Sequence, residues 1–212
     1  YDGEVRFSDD FIAGWIDALR ASGKLNNTIV VFSSDHGEEF KEHGGEGHGH
    51  TVFEEIVRIP LVMVGPGISA ARHTEQVSLL DLGPTVLQLA GLQPPAEFGT
   101  QGRSLVPLLS GGGNPQEWDH SYHELIYPTK GIAFALRVKN WKLVSIAQDS
   151  YGRKQQTLLY DLSVDPGEQH DLSSKEPARL AAMRETMKQV RTRQLQTATP
   201  SQTVPLDPEA EE

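Results

Sequence analysis

Cysteine is absent from all 212 residues. That excludes disulfides, thiolate metal sites and cysteine nucleophiles from this segment. Long apolar runs are missing too. No stretch approaches the 18 consecutive apolar residues of a membrane-spanning helix. There is also no basic excess: 19 Lys and Arg stand against 29 Asp and Glu, a net charge of -10. A protein that grips a phosphate backbone concentrates cations, so nucleic acid is not an expected partner. What remains is ordinary for a globular chain, with 37% hydrophobic and 23% charged residues. No signal peptide is visible. The chain opens on Tyr1 in front of a helical pattern and closes on an acidic run, Leu206 to Glu212, so both ends read as cuts.

The order of elements follows from periodicity. Phe11, Trp15 and Leu19 lie four apart, with Ile12 and Ile16 beside them, which predicts an amphipathic helix from Asp2 to about Leu25, stopped by Gly23. Thr28 to Phe32 is β-branched and reads as a buried strand. Ile59 to Val64 reads as a second, ended by Gly65-Pro66-Gly67. Ser78 to Leu92 predicts a helix with Pro84 near its start. This alternation favours an α/β layer with a parallel sheet. After about Trp118 the pattern changes to short strands at His120–Tyr127, Ile132–Val138, Trp141–Ala147 and Gln156–Leu162, expected to form a small antiparallel sheet. Trp141 and Tyr160 are expected in its core. Ala178 to Gln196 predicts a last helix with Leu180, Met183, Met187 and Val190 on one side. The expected division is 1–117, 118–196 and a tail at 197–212.

Four of the eight histidines fall between residues 36 and 50. They lie in a polar, Gly-rich stretch, Ser33-Ser34-Asp35-His36-Gly37-Glu38 through His43 to His48-Gly49-His50, directly behind the first strand. In open α/β sheets ligands bind beyond the carboxyl ends of strands. A carboxylate and an imidazole side by side there can hold a divalent cation, and Asp35 with His36 is the best such pair. An Asp-His dipeptide more often merely caps a turn. Its position after a buried strand, and the histidines that follow, favour a site. Gly37 fits a tight turn beside a ligand. A zinc site built on His48-x-His50 is disfavoured, because Thr51-Val52 follow where a further Asp-His is needed.

At these residues the chain resembles a known family. Asn26 to Glu38 looks like the second metal-site motif of sulfatases, within the alkaline phosphatase superfamily. The resemblance continues through His48 to Glu55, Val57 to Leu61, Leu79 to Thr85 and Leu89 to Leu92. It reappears at Leu159-Tyr160-Asp161-Leu162 and Asp165-Pro166-Gly167-Glu168, in the family's order. It implies part of an alkaline-phosphatase-like α/β sheet flanked by helices, with a small antiparallel carboxy-terminal subdomain. It implies Asp35 and His36 as ligands of one divalent ion. Calcium is the family's frequent choice, while an imidazole ligand leans toward manganese or zinc, with magnesium also open. His48, twelve residues after His36, matches a position where many members place a Lys contacting the sulfate or leaving-group oxygen, and His50 is the rival for that role. His43, Glu54 and Arg58 are expected to be structural. The family's nucleophile is a formylglycine within Cys/Ser-x-Pro-x-Arg, which this chain lacks. The implied function is hydrolysis of a sulfated small molecule or carbohydrate in a periplasmic or secreted protein, with the nucleophile elsewhere. Phosphate or phosphonate ester hydrolysis on the same fold, and a non-catalytic metal-binding module, are the alternatives.

Overall fold

The first helix, α1 (Asp2–Ala21), ends where the sequence placed its stop. Gly23 takes a left-handed φ of 70°, the Gly23 N–H reaches the Arg20 carbonyl at 3.0 Å, and the Lys24 N–H reaches the Leu19 carbonyl at 3.1 Å. These two bonds satisfy carbonyls that a helix end otherwise leaves open. No residue of α1 is buried, and the Phe11 and Trp15 stripe lies open to solvent. This computed structural model describes residues 1–93, 102–112, 120–127, 129, 131–149 and 154–197. The expected boundary near residue 117, and all of the tail beyond Thr197, lie outside the described residues.

Strand β1 (Val30–Ser33) emerges from the β-branched run and pairs with β4 (Leu61–Val64), Val30 opposite Val64 and Ser33 opposite Leu61. The pairing is antiparallel, which corrects the expected parallel sheet. A parallel pair needs a crossover, usually a full helix, to carry the chain back to its start. Between β1 and β4 the only helix is the one-turn α2 (Glu54–Val57). The rest is the polar loop, folded on itself as a two-residue hairpin of β2 (Glu39–Phe40) and β3 (Glu46–Gly47). The chain therefore doubles back. A 3₁₀ turn at Leu79–Asp81, closed by a reciprocal Ser78–Asp81 capping box, leads into α3 (Leu82–Leu89), and a short α4 (Val106–Leu109) follows.

The second half is a four-stranded antiparallel meander, β5 (His120–Tyr127), β6 (Gly131–Val138), β7 (Trp141–Asp149) and β8 (Gln156–Asp161), in sequential order. Both faces are covered. One holds Ala133, Ala135, Val144, Ile146 and Tyr160 against Val52 and Phe53, the residues that lead into α2. The other holds Leu136, Leu143 and Leu159 against Met183 of α5 (Pro177–Thr197), with Leu180, Met187 and Val190 beside it. Tyr160 is buried as expected. Trp141 is half-buried beneath the Arg179 guanidinium, 4.1 Å from its ring centroid. The first packed face matters for function. It fixes Val52 and Phe53, and with them the downstream end of the histidine-rich loop. At Gly131 of β6 a Cβ would come within 2.8 Å of the His50 carbonyl oxygen, so the loop rests directly on sheet backbone.

Candidate functional site

The turn that leaves β1 is built by its own polar side chains. Ser33 Oγ donates to the Pro60 carbonyl at 2.9 Å, and Ser34 Oγ donates to the His36 carbonyl at 2.7 Å. The His36 N–H donates to the Asp35 carboxylate at 3.0 Å, which is the main reason that carboxyl is held below its usual range. Asp35 itself points to solvent, its side chain 85% exposed.

His36 is better prepared. Its Nδ1 lies 2.8 Å from the Gly37 carbonyl oxygen. A carbonyl can only accept, so Nδ1 carries the proton, and the neutral ring keeps its lone pair at Nε2. That Nε2 sits 3.6 Å from the Asp35 carboxylate. Gly37 donates its N–H to the Ile56 carbonyl at 2.7 Å. A Cβ at Gly37 would fall 2.0 Å from the Glu55 carbonyl oxygen. Glycine is thus required by a backbone crossing against α2. Its φ is not positive, so the tight-turn explanation expected from the sequence is replaced by this close approach.

The loop then brings His48 back. Its ring lies 4.0 Å from the His36 ring, tilted by 32°. Its Nδ1 is 3.2 Å from the Glu38 carboxylate. Ligand atoms of His36, Glu38 and His48 all lie within 4.8 Å of one another. His50 goes elsewhere. It is 2% exposed, and its Nε2 lies 2.7 Å from the carboxylate of the fully buried Glu39. The other Glu39 oxygen accepts from the backbone N–H of His43 and of Gly45, at 3.1 and 2.5 Å. Glu39 and His50 thus form the hub around which the loop closes.

His43 ties the loop to the rest of the molecule. It stacks on Phe53 with 3.7 Å between ring centroids. One nitrogen faces the Glu55 carboxylate at 2.7 Å, and the other faces the Glu168 carbonyl at 3.0 Å. Both partners accept, so the ring makes both bonds only as an imidazolium. Burial pulls its pKa down, but the Glu55 bond and then the Glu168 bond outweigh it and raise the value. Beneath lies a buried ion network. The Lys142 ammonium of β7, fully buried, is 2.9 Å from Glu54 and 3.0 Å from Glu168. Arg137 reaches Glu54 at 3.2 Å, and the Glu54 N–H donates to Glu168 at 2.5 Å. Glu54 anchors the loop, as expected. Neither Lys142 nor Glu168 has a role that the sequence alone predicts. Lys142 did carry a signal, a lone charge among Trp141, Leu143 and Val144, and Glu168 lay inside the Asp-Pro-Gly-Glu segment. Glu38 lies within the motif, and the sequence gives it no expected function. His123, half-buried in β5, has its pKa pushed down to about 4, chiefly by desolvation and then by Lys142.

A family model described as Sulfatase matches residues 1–92. Arylsulfatase K of Danio rerio is 34% identical over 177 residues, covering 80% of this chain and 32% of that protein. The N-acetylglucosamine-6-O-sulfatase of Bacteroides thetaiotaomicron is 31% identical over 183 residues, covering 82% and 32%. Residues 1–92 are a sulfatase-family segment. The chain spans about a third of the length of these curated relatives. A solved Bacteroides thetaiotaomicron sulfatase superposes with a TM-score of 0.68 at 28% identity, over 87% of this chain and 40% of that one. The phosphonate monoester hydrolase of Silicibacter pomeroyi superposes with a TM-score of 0.72 at 26% identity, over 87% and 38%. The fold is therefore alkaline-phosphatase-like, with the antiparallel meander as its carboxy-terminal part.

Proposed function

We propose that residues 33–58 of this sulfatase-family segment form the metal and leaving-group side of a site that hydrolyses sulfuric esters of carbohydrates. The observation that carries the reading is the convergence of His36 and His48 on one side of the turn after β1, with Asp35 beside them. The donors suit a divalent ion. Asp35 offers a carboxylate kept ionised by the His36 amide, and His36 offers a lone pair fixed at Nε2 by the Gly37 carbonyl. When bound, such an ion draws charge from the ester oxygens. Asp35 and His36 would hold it, calcium by family habit or manganese, magnesium or zinc by ligand type.

His48 takes the leaving-group role in this reading. Glu38 holds a proton at Nδ1 and leaves Nε2 as the second proton-carrying position. From there a proton can pass to the departing oxygen as the S–O bond breaks. His50, sealed against Glu39, serves the loop's architecture instead. These residues include no Cys and no Ser-x-Pro-x-Arg, so the formylglycine nucleophile is not among them, and this chain alone turns over no sulfate ester. A sulfated sugar is the substrate class, since the Bacteroides relative is named for a sulfated N-acetylglucosamine. Phosphonate ester hydrolysis is the second reading, favoured by the Silicibacter neighbour.

The test is an assay of a polypeptide that carries these residues together with a formylglycine motif. An aryl sulfate, a sulfated glucosamine and an aryl phosphonate ester are compared side by side. Sulfate esters should turn over fastest, and Asp35→Ala should abolish turnover of all three. Faster hydrolysis of the phosphonate would move the assignment to the second reading.

A further inference from the structure

We propose that His36, Glu38 and His48 also form a binding site for a borderline transition ion of the zinc or cobalt class, and that occupying it silences His48. The site differs from the Asp35–His36 pair in composition. It offers two imidazoles and one carboxylate, a set that suits zinc-class ions and suits calcium, which takes six to eight oxygens, poorly.

Three features build it. The lone pair of His36 is fixed at Nε2 because Nδ1 donates to the Gly37 carbonyl. His48 Nδ1 and the Glu38 carboxylate already stand 3.2 Å apart, and that nitrogen becomes a ligand when binding of the ion releases its proton. Two ligands at about 2.1 Å on a tetrahedral ion lie roughly 3.4 Å apart. The whole triad needs to contract only from within 4.8 Å to that spacing. The side chains can do so, since His36, Glu38 and His48 are 38%, 25% and 49% exposed and are not locked in the core. Gly47 and Gly49, both at positive φ, flank His48, and the Glu38 carboxylate lies directly against Gly47.

The consequence for activity rests on the reading of His48 given above; the binding itself does not. Both sites draw on the single lone pair of His36 Nε2, so they exclude each other. A hard ion gains from the Asp35 carboxylate, whereas a borderline ion gains from the second imidazole. A zinc-class ion in the triad would remove both the leaving-group donor and the ligand of the working metal.

The experiment uses the 212-residue chain and the metals alone. Cobalt(II) is titrated by visible absorption and zinc by calorimetry, for the parent and for Glu38→Gln, His48→Gln and Asp35→Asn. The parent should bind one ion, with a cobalt spectrum of low coordination number that a hundredfold excess of calcium leaves in place. Glu38→Gln and His48→Gln should each weaken binding at least tenfold, while Asp35→Asn stays within threefold. Circular dichroism checks that each variant is folded, which these part-exposed positions should allow. The proposal is overturned if Asp35→Asn weakens binding as much as Glu38→Gln, which would put the ion on the Asp35–His36 pair. It is equally overturned if calcium displaces cobalt, or if no saturable binding is seen. None of these results depends on ester hydrolysis, so failure of the enzymatic reading would appear separately.

Discussion

Lys142→Met removes the one cation that stands between two buried carboxylates. Its ammonium is fully buried, 2.9 Å from Glu54 and 3.0 Å from Glu168. Burial pushes the Glu54 carboxyl up, but Lys142, followed by Arg137, outweighs it and holds the value below the usual range. Glu168 stays above its usual range, because burial dominates there despite Lys142. Methionine fills the same volume but leaves both carboxylates facing each other, with only Arg137 nearby. Breaking a buried pair by deleting one partner costs about 3–5 kcal/mol. For a chain of this size about 1 kcal/mol moves the Tm by roughly 2–4 °C, so the expected fall is roughly 6–20 °C. The pH dependence gives the sharper test. In the variant both carboxyls should titrate above their unfolded values. The folded state then gains protons more readily than the unfolded one, and stability is lost as pH rises through those values. In the parent, Glu54 contributes in the opposite sense, stabilising above its unfolded value and less as pH falls through its depressed one. The gap between variant and parent should therefore narrow from pH 8 to pH 5 in thermal melts. A deficit under about 1 kcal/mol, or one that does not change with pH, would refute the reasoning.

Other consequences can be measured independently. Gly37→Ala should cost roughly 3 kcal/mol or more in denaturant unfolding, since its Cβ would lie 2.0 Å from the Glu55 carbonyl oxygen and backbone cannot yield as a side chain does. His43 should titrate above 6.5 by NMR, and Glu55→Gln should lower it. A raised His contributes most below its unfolded value, so the Tm loss in His43→Gln should be larger at pH 6 than at pH 8.5. His123 should stay neutral down to about pH 4. Its depressed value means that stability falls as pH drops from 6.5 toward 4, by roughly 3 kcal/mol, and His123→Gln should flatten that slope.

The elements most legible in the sequence were those whose signal is local. α1 ends in a glycine cap, and α5 and the four strands of the meander follow periodicity and turn residues. The antiparallel pairing of β1 with β4 was not legible. Strand direction depends on what connects the strands, and a Gly- and His-rich loop gives no local sign that it doubles back. Asp35 and His36 are legible as ligand-type residues behind a strand, whereas His48 stands out only through the family resemblance. The different fates of His48 and His50 were not readable, since spacing of two places both within reach of a site. What separates them is Glu39, which offers His50 a buried partner eleven residues away. The Lys142–Glu54–Glu168 network joins residues 54, 142 and 168, and no spacing rule connects such distant positions. The constraint on Gly37 is the Glu55 carbonyl rather than a tight turn, and it arises only once α2 is folded against the turn.

In the proposed site His48 faces the leaving group while His50 holds the loop. The most direct measurement is a series of aryl sulfates of rising leaving-group pKa, hydrolysed by a polypeptide that carries these residues and a formylglycine. The parent is compared with His48→Ala, and metal content is measured alongside. His48→Ala should retain its metal and slow poor leaving groups by roughly 10²–10⁴-fold, with little loss on the best ones. An equal loss across the whole series, or loss of the metal together with activity, would contradict that role of His48.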